Sequence, residues 1–437
     1  TVNGTARYEG TNRMGKSRSA RWLPTWNVSG AWNAHEEKFF SNLTSVLSHF
    51  TLKASYSLTA DRGPADVTNS QAIITSYSPY RPFTSIQESG LYIKELENSE
   101  LTYEKKHELN IGADMGFLNN RINLAVDWYK RNNYDLIGIV NTQGAGGQIL
   151  KYANIASMKS HGIEFTLSTK NIKTKDFNWN TDFIFSNAKN EVTDLKQNAN
   201  VMELISGNGF AKQGYPVRGL FSIPFVGLDK DGIPVIINEK GEATSTDINF
   251  QERQNTGFLK YEGPTDPTIT GSLGNMFSYK GFRLNLFITY SFGNVIRLNP
   301  VFKAYYSDLT AMTREFKNRW TLPGDEAKTN VPAILSKRMY DSNEDLKYAY
   351  NAYNYSTERI AKGDFIRLKE ISLAYDFPKA WINPLKLTDL SLKVQATNLF
   401  LIYADDKLNG QDPEFFNAGG VASPVPRQFT ITLRLGL

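Results

Sequence analysis

The chain has 437 residues, of which 41% are hydrophobic and 13% aromatic, and its mean hydropathy is -0.40. It contains no cysteine, which excludes a disulfide-stapled fold, thiolate metal sites and cysteine nucleophiles. The net charge of +5 is too small to favour nucleic acid as a partner. No apolar run approaches the roughly 18 residues that would predict a transmembrane helix.

The first predicted elements are strands in which apolar and polar residues alternate. Alternation begins at Thr1, without a starting Met or an apolar leader, so we expect the sequence to begin inside a larger protein. Residues 109–117 and 122–128 also alternate, and the intervening Leu118-Asn119-Asn120 tolerates positive φ. This pattern predicts a tight hairpin.

Later strands are longer and include one irregularity. In 282–292 every even residue is apolar over about eleven residues, enough to cross a bilayer as a tilted strand. In 364–377 the apolar phase slips by one residue, which predicts a β-bulge near Lys369. The last strand, 428–437, alternates to the C-terminus.

The connections between strands differ in length. Short turns are predicted near 118–120, 170–176 and 279–281. Long polar segments lie near 59–103, 188–215, 228–266 and 293–363. Soluble sandwiches and propellers alternate too, but their strands are usually about five or six residues long.

We therefore predict an all-β fold, a transmembrane antiparallel β-barrel. About fourteen strands, give or take two, are expected in this chain, with short periplasmic turns and long extracellular loops. No helical period longer than two turns is evident, and residues 308–319 are the best candidate for a short loop helix.

Signals for catalysis or metal binding are weak throughout the chain. The four histidines, His35, His49, His107 and His161, have no spacing typical of a metal site. Residues 229–232 begin like a calcium loop but lack the later acidic ligands, so a hairpin turn is predicted. We expect no catalytic residues, no cofactor, no metal and no enzyme activity.

Binding chemistry is more plausible in the long segment 299–362, which is rich in aromatic residues. Aromatic rings stack on sugars or pack against peptide side chains. Packing of long loops against one another explains the same residues equally well. The candidate ligand or lid contacts are Tyr305, Tyr306, Trp320, Tyr340, Tyr348, Tyr350, Tyr353 and Tyr355. Polar strand residues such as Arg283, Asn285, Lys393 and Gln395 are expected to line a conduit or to contact a plug.

Six motifs follow one another along the chain. In chain order they are the 104–130 hairpin, Trp179-Asn180-Thr181 with 190–195, Tyr215-Pro216-Val217, Phe277 to Phe282, the strand 363–378, and Asn398-Leu399-Phe400 followed by Asp412-Pro413-Glu414. Together these segments resemble the SusC/RagA family of TonB-dependent outer-membrane transporters. The resemblance extends over nearly the whole chain.

The resemblance implies a barrel of about 22 strands with an N-terminal plug domain and a periplasmic TonB box. It also implies a SusD-like surface lipoprotein as a lid, import of oligosaccharides or peptides energised through TonB, and a dimer of transporter–lipoprotein pairs in contact with outer-membrane lipid. The sequence shows no plug or TonB box, so we expect residues 1–437 to be the C-terminal portion of the barrel. A passive porin and a barrel-anchored adhesin remain as alternatives.

Overall fold

The computed structural model describes residues 1–63, 71–80, 82, 88–144, 147–303, 312–416 and 426–436. Its strands are β1 (Val2–Gly10), β2 (Trp22–Asn33), β3 (Leu47–Asp61), β4 (Ile73–Tyr77), β5 (Gly90–Glu95), β6 (Glu104–Phe117), β7 (Ile122–Asn141), β8 (Leu150–Lys173), β9 (Phe177–Leu195), β10 (Gly219–Ser222), β11 (Phe225–Leu228), β12 (Pro234–Ile237), β13 (Ala243–Thr244), β14 (Lys260–Pro264), β15 (Ile269–Tyr279), β16 (Phe282–Phe292), β17 (Val295–Arg297), β18 (Ile360–Lys362), β19 (Phe365–Asp376), β20 (Asp389–Ala404) and β21 (Gln428–Gly436).

Helical segments are short and lie in the connections. The α-helices are α1 (Arg18–Arg21), α2 (Val201–Ile205), α3 (Lys337–Ser342), α4 (Leu346–Asn354) and α5 (Lys379–Ile382). The 3-10 turns are Ala34–Glu36, Lys38–Asn42, Arg314–Asn318, Asp325–Ala327, Thr357–Arg359, Asn383–Leu385, Asp406–Leu408 and Pro413–Phe415. None of the helices in the described part of the chain is long and apolar enough to cross a membrane.

Twelve strands form one antiparallel sheet, here called the wall, in the order β1-β2-β3-β6-β7-β8-β9-β15-β16-β19-β20-β21. Each wall strand pairs with its neighbours along the chain, as in an up-and-down meander. Among the described residues β1 pairs only with β2, and β21 only with β20, so the sheet is open. The prediction of an all-β antiparallel fold is therefore confirmed.

The strand count lies at the lower end of the predicted range. Residues 219–228, which lie between two predicted long loops, form β10 and β11, and these pair with β14 and β12 instead of joining the wall. Each has four residues, too few to cross a bilayer, since a spanning strand needs about nine to eleven. The two loops predicted near 188–215 and 228–266 are thus one connection, 196–268.

The register of the wall separates an apolar face from a polar face. Leu284 of β16 lies opposite Phe277 of β15 and Leu373 of β19. Asn285, one residue further on, lies opposite Ser372, which in turn pairs with Gln395. Because successive side chains point to opposite faces, the apolar row continues across strands on one side and the polar row on the other.

The longest connections all lie at one end of the wall, and no connection at the other end exceeds the 13 residues of 34–46. At the long-loop end lie the connections 11–21, 62–103, 142–149, 196–268, 293–364 and 405–427. At the short-turn end lie 34–46, 118–121, 174–176, 280–281 and 377–388. The predicted segregation of loop lengths is confirmed, as in outer-membrane barrels.

The predicted hairpin at the short-turn end is also confirmed. Leu118, Asn119 and Asn120 all have positive φ, between 52° and 59°. The amide of Arg121 donates to the carbonyl of Phe117 at 2.9 Å and closes the turn. Asn tolerates this left-handed backbone because its short polar side chain bonds locally.

The predicted β-bulge lies at Lys369. Ile288 of β16 pairs with Leu368, whereas the preceding residue, Phe287, pairs with Glu370. Lys369 therefore has no partner in this ladder. On the other side β20 also skips Lys369, with a register shift between Leu368 and Glu370. The phase slip in the sequence thus marks an extra residue of β19 in its ladder with β16. In the ladder with β20, Lys369 faces Asn398 and Leu399, which are unpaired as well.

Aromatic side chains form rows near both ends of the wall. At the long-loop end Trp26, Tyr56, His107 and Tyr134 follow one another across four strands, with ring centroids 5.3, 6.0 and 6.1 Å apart. At the short-turn end Phe282, Tyr375, Phe377 and Trp381 form a second row. Such rows are typical of the interfacial girdles of membrane barrels.

Candidate binding surface at the long-loop end

The long loops pack into a body with its own hydrophobic core. We call residues 196–268 together with the described part of 293–364 the loop assembly. Its core contains Val201, Leu204, Ile205, Phe221, Ile223, Ile236 and Ala352, each at most 1% exposed. The core joins α2, β10, β12 and α4, so loops far apart in sequence form one unit.

A buried arginine ties these loops together. The Arg297 guanidinium donates to three carbonyl oxygens, those of Ser356 at 2.9 Å, Phe221 at 2.5 Å and Ile205 at 3.3 Å. Burial lowers the pKa of Arg297 to about 9, and the nearby Glu262 opposes that shift. At neutral pH the side chain remains charged and donates to backbone carbonyls of three segments that are distant in sequence.

A second buried arginine borders a cavity on the loop assembly. Arg359 is 3% exposed and pairs with Glu315 at 2.5 Å, while its other nitrogen donates to the Asn299 carbonyl at 2.7 Å. These two charged residues line a cavity of about 550 Å³, the loop cavity. Its other charged lining residues are Arg319, Asp325, Lys328, Glu358 and Lys407.

Three of the predicted contact residues serve the core of the loop assembly. Tyr350 and Tyr353 are each 1% exposed on α4, and Tyr355 packs against the core. Desolvation raises the pKa of the Tyr353 hydroxyl, although that residue also borders the loop cavity. For these tyrosines the packing role that the sequence left open is the one the structure favours.

Other predicted contact residues remain accessible. Tyr348 is 40% exposed, and the Lys347 ammonium lies 5.3 Å from its ring and 5.9 Å from that of Tyr340. The Trp320 indole donates to Glu326 at 2.9 Å. Tyr305 and Tyr306 lie outside the described residues. A ligand contact stays a prediction for the accessible members of the set.

A second cavity lies between the polar face of the wall and the loops. This lumen cavity has a volume of about 660 Å³. The wall contributes Thr289, Ser291 and Lys369, and the connections contribute Arg218, Asn294 and Glu414, among others. Sequence reasoning did not identify these residues as a site. It did single out the bulge at Lys369 and the Asp-Pro-Glu motif, and both contribute to the lining of this cavity.

The Asp-Pro-Glu motif is anchored to the wall by a buried ion pair. Arg367 of β19 is 5% exposed and contacts the Asp412 carboxylate at 2.5 Å and that of Glu414 at 3.3 Å. Asp412 also caps the short 3-10 turn by accepting from the Glu414 amide. The contacts fix Pro413 and Glu414 as one side of the lumen cavity.

The calcium-like segment forms the hairpin turn that was predicted. The Asp229 carboxylate accepts from the amides of Asp231 and Ile233, each at 2.9 Å, and Gly232 has a φ of +75°. Two of the histidines, His35 and His49, do come together, with ring centroids 4.2 Å apart at the short-turn end. In the described ranges no group of three or more potential ligands surrounds a metal position.

The chain is similar to TonB-dependent receptors along its length. It is 25% identical over 430 residues to TonB-dependent receptor P3 of Formosa agariphila, covering 94% of this chain and 40% of that protein. It is 26% identical over 460 residues to the TonB-dependent receptor SusC of Bacteroides thetaiotaomicron, covering 99% of this chain and 41% of SusC. No family model matches the chain.

Among solved structures the chain is similar to the RagAB peptide transporter. The TM-score is 0.76 at 24% identity, covering 99% of this chain and 45% of that one. The RagAB peptide importer in its open-open state gives a TM-score of 0.77 at 23% identity, covering 100% and 45%. The chain thus spans less than half the length of the relatives that it matches.

The fold and these similarities together define the class of protein. The wall, with its apolar outer face and long loops at one end, has the fold of part of a transmembrane β-barrel of the outer-membrane type. Its relatives are receptors and transporters rather than enzymes. The similarity to SusC and to RagAB confirms the SusC/RagA resemblance that the motifs indicated.

Proposed function

We propose that this chain is the C-terminal portion of the barrel of a TonB-dependent importer in the bacterial outer membrane. An N-terminal region would supply the plug, the TonB box and the remaining wall strands of a barrel of about 22 strands. The observation that carries the proposal is the similarity to TonB-dependent receptors over 94% to 99% of the chain, loops included.

The substrate would bind at the long-loop end. Two cavities lie there, and the loop assembly that borders them has a packed core, so the loops can present fixed binding groups. A SusD-like lipoprotein would cover this end as a lid, and the pair would import oligosaccharides or peptides. A dimer of such pairs belongs to the same proposal.

Energy for import must come from the inner membrane through TonB, because the outer membrane holds neither ATP nor a useful potential. Deleting TonB in a strain that carries the full-length transporter should abolish uptake of its nutrient while the protein remains in the outer membrane. Uptake that persists without TonB would favour a passive porin. Uptake that does not depend on this transporter at all would favour an adhesin.

A further inference from the structure

The lumen cavity contains one cation, Lys369, that has no carboxylate within ion-pair distance among the described residues. We propose that Lys369 and its surroundings form a subsite for a carboxylate group of the imported ligand. This inference rests on the proposed import function and adds the chemistry of one contact. It draws on the position of Lys369, on its lack of a partner and on the groups around it.

The bulge places the lysine. Leu368 pairs with Ile288 on the apolar face, while Glu370 pairs with Phe287 and Thr397 on the polar face. Lys369 lies between them outside both ladders and lines the cavity. Bulges re-aim side chains and are common next to functional sites.

Two other lysines on the polar face have carboxylate partners. Lys53 pairs with Asp114 at 2.8 Å, and Lys393 lies 4.0 Å from Glu370. The carboxylate next to Lys369 in sequence is therefore engaged by Lys393. Within the described ranges Lys369 itself has no carboxylate within ion-pair distance. A half-buried ammonium gains most from a partner that also carries charge.

Two arginines near the lysine are held by carboxylate partners. Arg218 at the cavity is paired with Asp266 at 2.7 Å, and Arg367 is paired with Asp412 and Glu414 behind the cavity. Arg218 is thus balanced by Asp266, and Arg367 is shared between two carboxylates, so neither arginine is free for a ligand. Lys369 is thus the cation left to bind an anionic group of the ligand.

The cavity also contains hydrogen-bond acceptors, which would bind donor groups on the same ligand. The Asn294 Oδ1 atom is buried without a donor among the described residues, while its Nδ2 donates to the Thr265 carbonyl at 3.4 Å. The Glu414 side chain is 40% exposed and keeps acceptor capacity. A carboxylate-bearing ligand with N–H or O–H groups fits, whereas a neutral ligand leaves Lys369 unpaired.

Two sources of such a carboxylate can be distinguished with the full-length transporter. The probes are tetra-alanine and its C-terminal amide, and tri-galacturonate and its methyl ester. We expect the wild-type protein to bind at least one free carboxylate about tenfold more tightly than its capped form, corresponding to about 1.4 kcal/mol. The preferred pair identifies the source, and added salt should reduce the preference.

Variants of the lysine test its role directly. Lys369→Met should abolish the preference for the free carboxylate with little effect on the capped form, and Lys369→Arg should retain it. Lys173→Met is the matched control, since Lys173 is exposed where β8 ends at the short-turn end. If Lys369→Met does not assemble, the salt dependence of the wild-type preference still tests the inference.

Several results would overturn the subsite. They are equal binding of free and capped forms by the wild type, failure of all four probes to bind, or equal loss of both forms in Lys369→Met. The proposed import function is tested separately by TonB deletion. A transporter can therefore pass that test and still lack the carboxylate subsite.

Discussion

The wall and the loop assembly place their large apolar side chains in opposite ways. In the wall, large apolar side chains such as Val28, Ile111, Ile431 and Leu433 are between 47% and 73% exposed. In the loop assembly, Phe221, Ile223 and Ile236 are at most 1% exposed. The wall leaves its apolar face exposed, and the loops bury their apolar side chains as a soluble domain does.

The difference affects how each region depends on its sequence. A wall strand is specified by the alternation of a single face and by hydrogen bonds to adjacent strands. The loop assembly depends on contacts between distant segments, such as Arg297 with Phe221 and Ser356. Perturbations of one region should therefore leave the other largely intact.

The largest effect is expected from Glu315→Ala in the loop assembly. It would leave the Arg359 guanidinium buried without a counter-charge, which typically costs about 3–5 kcal/mol. We expect faster proteolysis and hydrogen exchange in 293–364, while the barrel keeps its heat resistance on gels. Asp247→Ala, which breaks the exposed ion pair with Lys240, is the control and should change neither property. Loss of the folded barrel in Glu315→Ala would show that the regions are coupled.

In the wall the strongest test is Leu433→Arg. Leu433 is 59% exposed on the apolar face and lies opposite Leu392. An arginine facing the middle of the bilayer costs about 2–4 kcal/mol, so assembly into liposomes should decrease. Thr432→Arg, one residue away on the polar face opposite Lys393, serves as the control. Normal assembly of Leu433→Arg would contradict the assignment of the lipid face.

A smaller effect is expected at the start of α2. The Asn200 side chain accepts from the Glu203 amide, and the Glu203 side chain accepts from the Asn200 amide, which is a capping box. Asn200→Ala should cost about 1 kcal/mol. Hydrogen exchange within 196–268 would report this loss. Asn200→Asp keeps the acceptor and should restore protection.

The smallest expected effect is a local response to acid near Trp320. The pKa of Glu326 is lowered chiefly by the hydrogen bond from the Trp320 indole, and that of Asp325 by bonds from the amides of Leu322 and Thr321. Because both values lie below those of the unfolded chain, the stabilisation is complete above about pH 4.5 and is lost as pH falls.

Fluorescence that depends on Trp320 should therefore change only on acidification below about pH 4.5. The difference between the wild type and Trp320→Phe isolates this signal from the other tryptophans. Glu326→Gln should remove most of the pH dependence. A transition centred near neutral pH would contradict the role of these carboxylates.

Much of the wall could be predicted because its determinants are local. The positive-φ turn at Leu118-Asn119-Asn120 and the phase slip at Lys369 are both visible in a few consecutive residues. The structure of the loop assembly was harder to predict from the sequence. Helix α4 escaped prediction, and of the predicted helix at 308–319 the described part forms a 3-10 turn, Arg314–Asn318; residues 308–311 lie outside the described ranges.

The candidate site shows the same division. The sequence indicated the aromatic-rich segment but could not tell contact residues from core residues, because a tyrosine looks the same in either role. Burial of Tyr350 and Tyr353 is decided by the packing of α4 against β11 and β12. The partner of Arg367, Asp412, is likewise 45 positions away in the sequence and is brought to it only by the folded chain.

The sequence by itself determined the alternating strands, their two faces, the unequal connections and the bulge, since each follows from the two-residue period of a strand. Only the tertiary structure decided that residues 219–228 leave the wall and which tyrosines are buried. It also decided that Lys369, Asn294 and Glu414 meet at one cavity. These outcomes depend on contacts between segments distant in the chain, which no local pattern encodes.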